Sequence, residues 1–153
     1  YATTETYIHS APALNARMPN LCAAVGHAQL ENMPKLIAAR LVMACMYDQL
    51  LTGQEGITLM ERKEGSVVWM YPVRVKNRDA VMRKLAERAI ESRPFFVPMH
   101  KQPFNGSWGT ATSYPVSELL SEQGLLLPSS PSLSPDDIRY ISEQLIDICR
   151  HET

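Results

Sequence analysis

Apolar positions recur with helical spacing over the first third of the chain and alternate by twos in its middle. Leu21, Ala24, Val25 and Ala28 stand at i, i+3, i+4 and i+7. The spacing predicts helix over 19–52, and Ala23, Ala24, Gly26 and Ala28 give it a small-residue face that another element can approach closely. Pro34 predicts a break near 32–34, because proline has no N–H for an unbroken helix. A second helix over about 34–51 then buries Leu36, Ile37, Leu41, Met43 and Ala44, and "LTGQEG" ends it with two glycines.

"SVVWMYPVRV" (66–75) alternates Val67, Trp69, Tyr71, Val73 and Val75, the mark of a strand, with Pro72 signalling a bulge or an unpaired edge. Asn77 can cap a helix over about 78–91. Its apolar stripe is Val81, Met82, Leu85, Ala86 and Ala89, and Arg78, Arg83, Lys84, Glu87 and Arg88 form its solvated face. "ESRPFFVPMHKQPF" (91–104) is too rich in proline for a helix. A Gly- and Ser-bearing loop follows over 105–113. Pro115 marks a first helical position and Gly124 the end of that helix. "LLLP" reads as a short strand. Ser134, Pro135 and Asp137 form a cap signature ahead of an amphipathic helix carrying Ile138, Ile141, Leu145 and Ile148. This order of elements predicts an α/β fold with a small sheet of about three strands.

Length and composition narrow the classes. The 153 residues fit one domain or one piece of a larger protein, and 45% hydrophobic with 20% charged residues is a globular balance. A net charge of −1 with mixed signs leaves no electrostatic footprint for nucleic acid or an acidic membrane surface. No apolar run is long enough to span a bilayer, and no signal peptide is recognisable. Cys22, Cys45 and Cys149 read as buried cytosolic thiols, in keeping with a cytoplasmic protein. The first eighteen residues show neither period and begin without Met, so they read as chain joined within something larger.

Taken residue by residue, the chemistry is sparse. No phosphate loop, metal-ligand spacing or nucleophile signature is present. His27 and His151 read as structural or solvated, and His9 could serve either way. In "PALNARMPN", Asn15 and Arg17 lie two apart in an extended segment and can point the same way. An amide beside a guanidinium suits an anionic ligand. A helix-capping Asn and a surface Arg fit the spacing equally well.

Four segments carry a resemblance. "LNARMPNLCAAVGHAQLENM" resembles the "GxNxRM…AAxGxxQL" segment of the fold type I, pyridoxal-phosphate (PLP)-dependent nucleotide-sugar aminotransferases of the DegT type. "AIESRPFFVPMHKQPF" is similar to the "GIETRPFFxPLHxQPxF" motif of their perosamine-synthase branch. "YPVRVKNRDAVMRKL" and "LLLPSSPSLSPDDIRYISEQL" stand where that family carries its "YPVxV…RDxLxxxL" and "LPxxPxLSxxEIxxVxxxL" stretches. The departures are Ala13 and Ala89 where Gly is usual, and Leu14 and Ala16 where Tyr is frequent.

The resemblance implies a small C-terminal α/β domain over 53–153, its sheet mainly antiparallel, preceded over 1–52 by an active-site segment and interdomain helices. The family's Schiff-base lysine, its aspartate for the pyridine nitrogen and its ring-stacking residue belong upstream of "LNARM", so no catalytic residue is expected in this chain. Lys35, Lys63, Lys76, Lys84 and Lys101 are expected on surfaces or turns, and the chain alone should be inactive. The implied whole is a homodimer that moves an amino group from glutamate to a keto group of a nucleotide-linked deoxysugar. Asn15 resembles the residue that reaches the PLP phosphate of the partner subunit, Arg17 a binder of the substrate's phosphates or sugar, and His100 a substrate-side contact. Pro94, Pro98 and Pro103 would fix the path of the segment presenting His100, the Phe residues would anchor it in the core, and Arg93 would form a structural ion pair. The rivals are a dehydratase of the same fold and a non-catalytic dimerisation or regulatory module.

Overall fold

A computed structural model describes residues 17–105 and 113–152. The first element is a single helix, α1 (Asn20–Leu51), which runs through Pro34 without a break. Ala, Leu, Met, Glu and Gln dominate both sides of the proline and favour helix strongly enough to absorb one lost ladder bond. The expected two helices are therefore one. Leu51 is followed by a turn in which Gly53 and Gly56 take φ of +75° and +76°, the left-handed region that a side chain would oppose.

The sheet has four strands among the described residues: β1 (Ile57–Leu59), β2 (Tyr71–Val75), β3 (Arg93–Pro94) and β4 (Gly124–Leu127). Their order is β1-β2-β4-β3 and every pairing is antiparallel. The expected strand over 66–75 shortens to 71–75, and Val67 and Trp69 are exposed. β1 ends with Leu59 opposite Val73, so Pro72 has a neighbouring strand on the β4 side alone. A residue without an N–H fits there.

Ile57, Leu59, Tyr71, Val73, Val75, Leu125 and Leu127 share one face of the sheet; the last five are buried in the core, and Ile57 and Leu59 pack against it partly buried. Against that face pack the last turns of α1, helix α2 (Arg78–Glu87) and helix α4 (Pro135–Glu152), with α4 touching both others. Met43, Ala44, Tyr47 and Leu51 are buried, whereas Leu41 lies 42% exposed. Ile138, Ile141, Leu145 and Ile148 are buried as the periodicity requires. The α4 cap forms as read: the Ser134 N–H donates to Asp137 Oδ2 (2.9 Å) and the Asp137 N–H to Ser134 Oγ (3.1 Å). The Ser134 hydroxyl also donates to Asp137 Oδ2 (2.6 Å); that bond first, and the Ser134 N–H second, hold the Asp137 carboxyl below its ordinary pKa.

Tyr47 of α1 and Tyr71 of β2 stack with ring centroids 4.6 Å apart. The Tyr47 hydroxyl donates to the Pro128 carbonyl (2.9 Å), and the Tyr71 hydroxyl donates to Asp48 Oδ1 (2.6 Å). Arg62 closes the group as an ion pair with Asp48. Burial first, and then the charge of Asp137 for Tyr47 and the bond to Asp48 for Tyr71, push both phenols well above their usual range. Arg40 Nη1, about two turns further back on α1, donates to the carbonyls of Trp69 (2.5 Å) and Ser129 (3.2 Å).

Charges expected on a solvated face of α2 also serve the fold. Arg78 Nη1 donates to the carbonyls of Ser121 (3.0 Å) and Gly124 (3.3 Å), and its side chain is only 14% exposed. Arg88 reaches Gln144 Oε1 (2.6 Å) and Asp147 Oδ2 (2.7 Å) on α4. Asn77 precedes α2 with φ of 50° and no side-chain cap hydrogen bond, and the helix stops at Glu87 instead of about 91. Ala86 and Ala89 are exposed, not part of the buried stripe. The stop is a Schellman turn: the Ile90 N–H bonds to the Leu85 carbonyl (2.9 Å) and the Ala89 N–H to the Ala86 carbonyl (3.0 Å). Ala89 occupies its left-handed position at φ of 58°. This is the site where the resembled family usually carries Gly.

Helix α3 (Pro115–Gln123) starts with Pro115 and passes directly into β4 at Gly124. Gly124 has an ordinary extended backbone (φ −73°), so its reason lies in space: an added Cβ would overlap the Phe95 ring and the Leu120 carbonyl oxygen. Cys149 is buried, but Cys22 and Cys45 are exposed: Cys22 lies in the early turns of α1, where no side is covered, and Cys45 on the side of its last turns away from Met43, Ala44 and Tyr47.

Two substitutions separate these roles of glycine. Ala89→Gly should stabilise the protein by about 1 kcal/mol by relieving the left-handed alanine, read as a higher urea midpoint at unchanged slope. Gly124→Ala should destabilise it by about 1–3 kcal/mol through overpacking. Equal midpoints for either variant and the parent would contradict the corresponding account.

Candidate functional site

The outer face of the sheet carries Thr58, Pro72, Arg74, Gly124 and Leu126, by the same registers. β3 pairs with β4 at Arg93 and Pro94, and the chain then crosses this face. The Phe95 N–H bonds to the Gly124 carbonyl (3.1 Å) and its ring lies over the glycine. Phe95 and Phe96 thus lie on the outer face beside Pro72 and Leu126 and not in the core, and Phe96 is 45% exposed. Pro98 leads into a 3-10 turn at Met99–Lys101, which the buried Gln102 ties back through Nε2 to the Val97 carbonyl (3.4 Å). Stiff proline-fixed backbone and this turn set the place of His100.

His100 faces a cavity of about 800 Å³ lined also by Phe95, Phe96, Met99, Tyr114 and Ser117. Its side chain is 15% exposed. Nε2 lies 3.1 Å from Glu118 Oε1, and the ring stands against Tyr114 at 4.8 Å between centroids. Lys101 Nζ lies 3.5 Å from the other carboxylate oxygen of Glu118. Partial desolvation works to raise the Glu118 pKa. The Lys101 ammonium, the His100 bond and a backbone hydrogen bond from Tyr114 outweigh it and hold the carboxyl below the ordinary glutamate range. An apolar cavity with one polar cluster on its wall is the usual build of a small-molecule site.

The other expected site residues are not brought together with His100 by the described structure. Arg17 is exposed, just ahead of α1. Asn15 and His9 lie outside the described residues. Arg93 forms an ion pair with Glu91 (3.3 Å), exposed on both sides. Tyr114 and Glu118 were absent from the sequence reading, and Lys101 entered it only as a surface or turn lysine. Glu118 had a signal, since an acidic residue in the first turn after Pro115 is placed to meet a helix N-terminus; Tyr114 had none.

Lys35, Lys63 and Lys76 are exposed, Lys84 is partly buried on α2, and Lys101 is exposed beside the Glu118 carboxylate. Among the described residues no group of three His, Cys, Asp or Glu could hold a metal ion, and no helix is long and apolar enough to cross a membrane.

Comparison with known proteins gives a consistent result. The chain is 36% identical over 144 residues to a GDP-perosamine synthase of Vibrio cholerae, covering 88% of this chain and 38% of that protein. It is 31% identical to a GDP-perosamine synthase of Escherichia coli O157:H7, covering 94% of this chain and 40% of the relative. Among solved structures, Streptomyces venezuelae DesV superposes with a TM-score of 0.80 at 26% identity, over 97% of this chain and 41% of that one. TlmJ of Streptoalloteichus hindustanus, an aminotransferase, gives 0.78 at 26% identity, over 88% and 37%. The small antiparallel sheet with its helices is thus the fold found in fold type I sugar aminotransferases, and the chain spans about two fifths of the length of these relatives. Residues 2–146 match the DegT/DnrJ/EryC1/StrS aminotransferase family, and the chain belongs to that family.

Proposed function

We propose that this chain is the C-terminal part of a PLP-dependent aminotransferase. The parent enzyme moves an amino group from glutamate to a keto group of a nucleotide-linked deoxysugar, as a perosamine-synthase-like enzyme would. The observation that carries this reading is the 36% identity to a GDP-perosamine synthase running through the segment that presents His100 to its cavity. Residues 1–52 act as active-site segment and interdomain helix, and 53–153 as the small domain. PLP, when bound, supplies the electron sink for transamination. This chain supplies position and charge. Asn15 donates to the cofactor phosphate of the partner subunit, Arg17 binds the substrate's phosphates or sugar, and His100 meets the substrate from the cavity wall.

A homodimer in the cytoplasm is part of the reading. Leu21, Val25 and Leu30 are 78%, 57% and 61% exposed on α1, an apolar surface that favours a protein neighbour over water.

The test uses the full-length enzyme that contains this chain, given glutamate and a GDP-linked keto-deoxysugar. The expected product is the amino sugar nucleotide, with 2-oxoglutarate released. A deoxygenated product without nitrogen would establish the dehydratase instead. Asn15→Ala should weaken cofactor retention by about 1.5–3 kcal/mol, the worth of a hydrogen bond to a charged group. Arg17→Ala should raise the Michaelis constant for the sugar nucleotide with cofactor occupancy unchanged. Equal cofactor loss in both variants, with normal substrate binding, would overturn this division of roles.

A further inference from the structure

A histidine on a cavity wall can meet a ligand through either ring nitrogen, and the two choices select different ligand groups. We infer that Glu118 is a positioning residue for His100: it holds the proton on Nε2 and reserves Nδ1 as an acceptor for a hydroxyl of the bound sugar. The inference rests on reading the cavity as the nucleotide-sugar site.

The geometry runs from the carboxylate outward. Glu118 Oε1 lies 3.1 Å from His100 Nε2, and an ionised carboxylate can only accept, so the shared proton sits on nitrogen. Glu118 is kept ionised by Lys101 on its second oxygen (3.5 Å) and by its place in the first turn of α3. With Nε2 donating, the neutral tautomer of the ring that fits this bond carries its lone pair on Nδ1. Tyr114, packed at 4.8 Å, restrains the ring plane. His100 makes no other hydrogen bond among the described residues, and its neighbours on the wall include Phe95, Phe96 and Met99. An acceptor nitrogen in such a wall attracts a donor and rejects phosphate oxygens, which are acceptors themselves. His100 therefore reads the sugar ring, and the diphosphate falls to other groups.

Two measurements test this. In the 153-residue chain near neutral pH, nitrogen-detected NMR should show one imidazole N–H protected from water exchange. It should be assigned to Nε2 of His100 and be lost in both His100→Asn and Glu118→Ala. A proton on Nδ1, or a protected signal that survives in Glu118→Ala, overturns the inference. In the full-length enzyme, Glu118→Ala should raise the Michaelis constant for the nucleotide sugar roughly tenfold while kcat and the glutamate constant hold, as for one lost ground-state hydrogen bond. Glu118→Gln, which can still accept from Nε2–H, should recover part of the loss, and Glu118→Ala combined with His100→Asn should cost no more than His100→Asn alone. Additive losses, or an unchanged Michaelis constant, overturn the ligand contact. If the NMR result holds but the enzyme does not turn over nucleotide sugars at all, the functional reading fails and the positioning of His100 by Glu118 stands.

Discussion

The stack of Tyr47 on Tyr71 joins the helix to the sheet, and much of the remaining structure is arranged around that contact. Each ring contributes buried apolar area, and each hydroxyl then needs an acceptor, since an unpaired polar group inside cancels a good part of what the burial of its ring returns. Tyr47 reaches the Pro128 carbonyl just past β4, and Tyr71 reaches Asp48 on the helix itself. One bond is donated from the helix to the chain after β4 and the other from β2 to the helix, so the junction is tied from both sides. Arg40 repeats the arrangement about two turns further out by collecting backbone carbonyls from the segment before β2 and the segment after β4.

Much of this architecture was legible in the chain. The stripe Ile138, Ile141, Leu145 and Ile148, the Ser134–Asp137 cap and the limits Pro115 and Gly124 follow from local rules, and local rules decide them. Pro34 was misleading because a proline rule weighs one hydrogen bond, whereas the outcome depends on all the favourable residues around it. Arg78 and Arg88 looked like solvent-facing charges because nothing local reveals the distant carbonyls and the distant Asp147 that they meet. The candidate site divides the same way. The placement of His100 could be read from the prolines and from the resemblance. Its partners Glu118 and Tyr114 lie beyond residues 106–112 in sequence, and their approach is a property of the folded chain alone.

The two faces of the sheet are built on different terms. The inner face is a continuous apolar layer shared by three helices, where volume is the governing constraint. The outer face is patched: a proline, an arginine, a glycine and a leucine, crossed by the Phe95 segment. Gly124 is the meeting point, since it must be small for Phe95 to lie flat and its carbonyl serves both Phe95 and Arg78. The wall of the cavity is consequently as firm as β4 itself.

The long first helix has a mechanical consequence. It is gripped by the core only near its end, from Met43 to Leu51, while its earlier turns project beyond that grip. At 1.5 Å per residue, Asn20 stands about 40 Å from Tyr47 along the axis, so a tilt of about 5° at the aromatic seat sweeps the far tip through roughly 3.5 Å. The helix is a lever with its fulcrum at the two tyrosines. Arg17, just beyond the tip, is aimed by the angle at which those rings close.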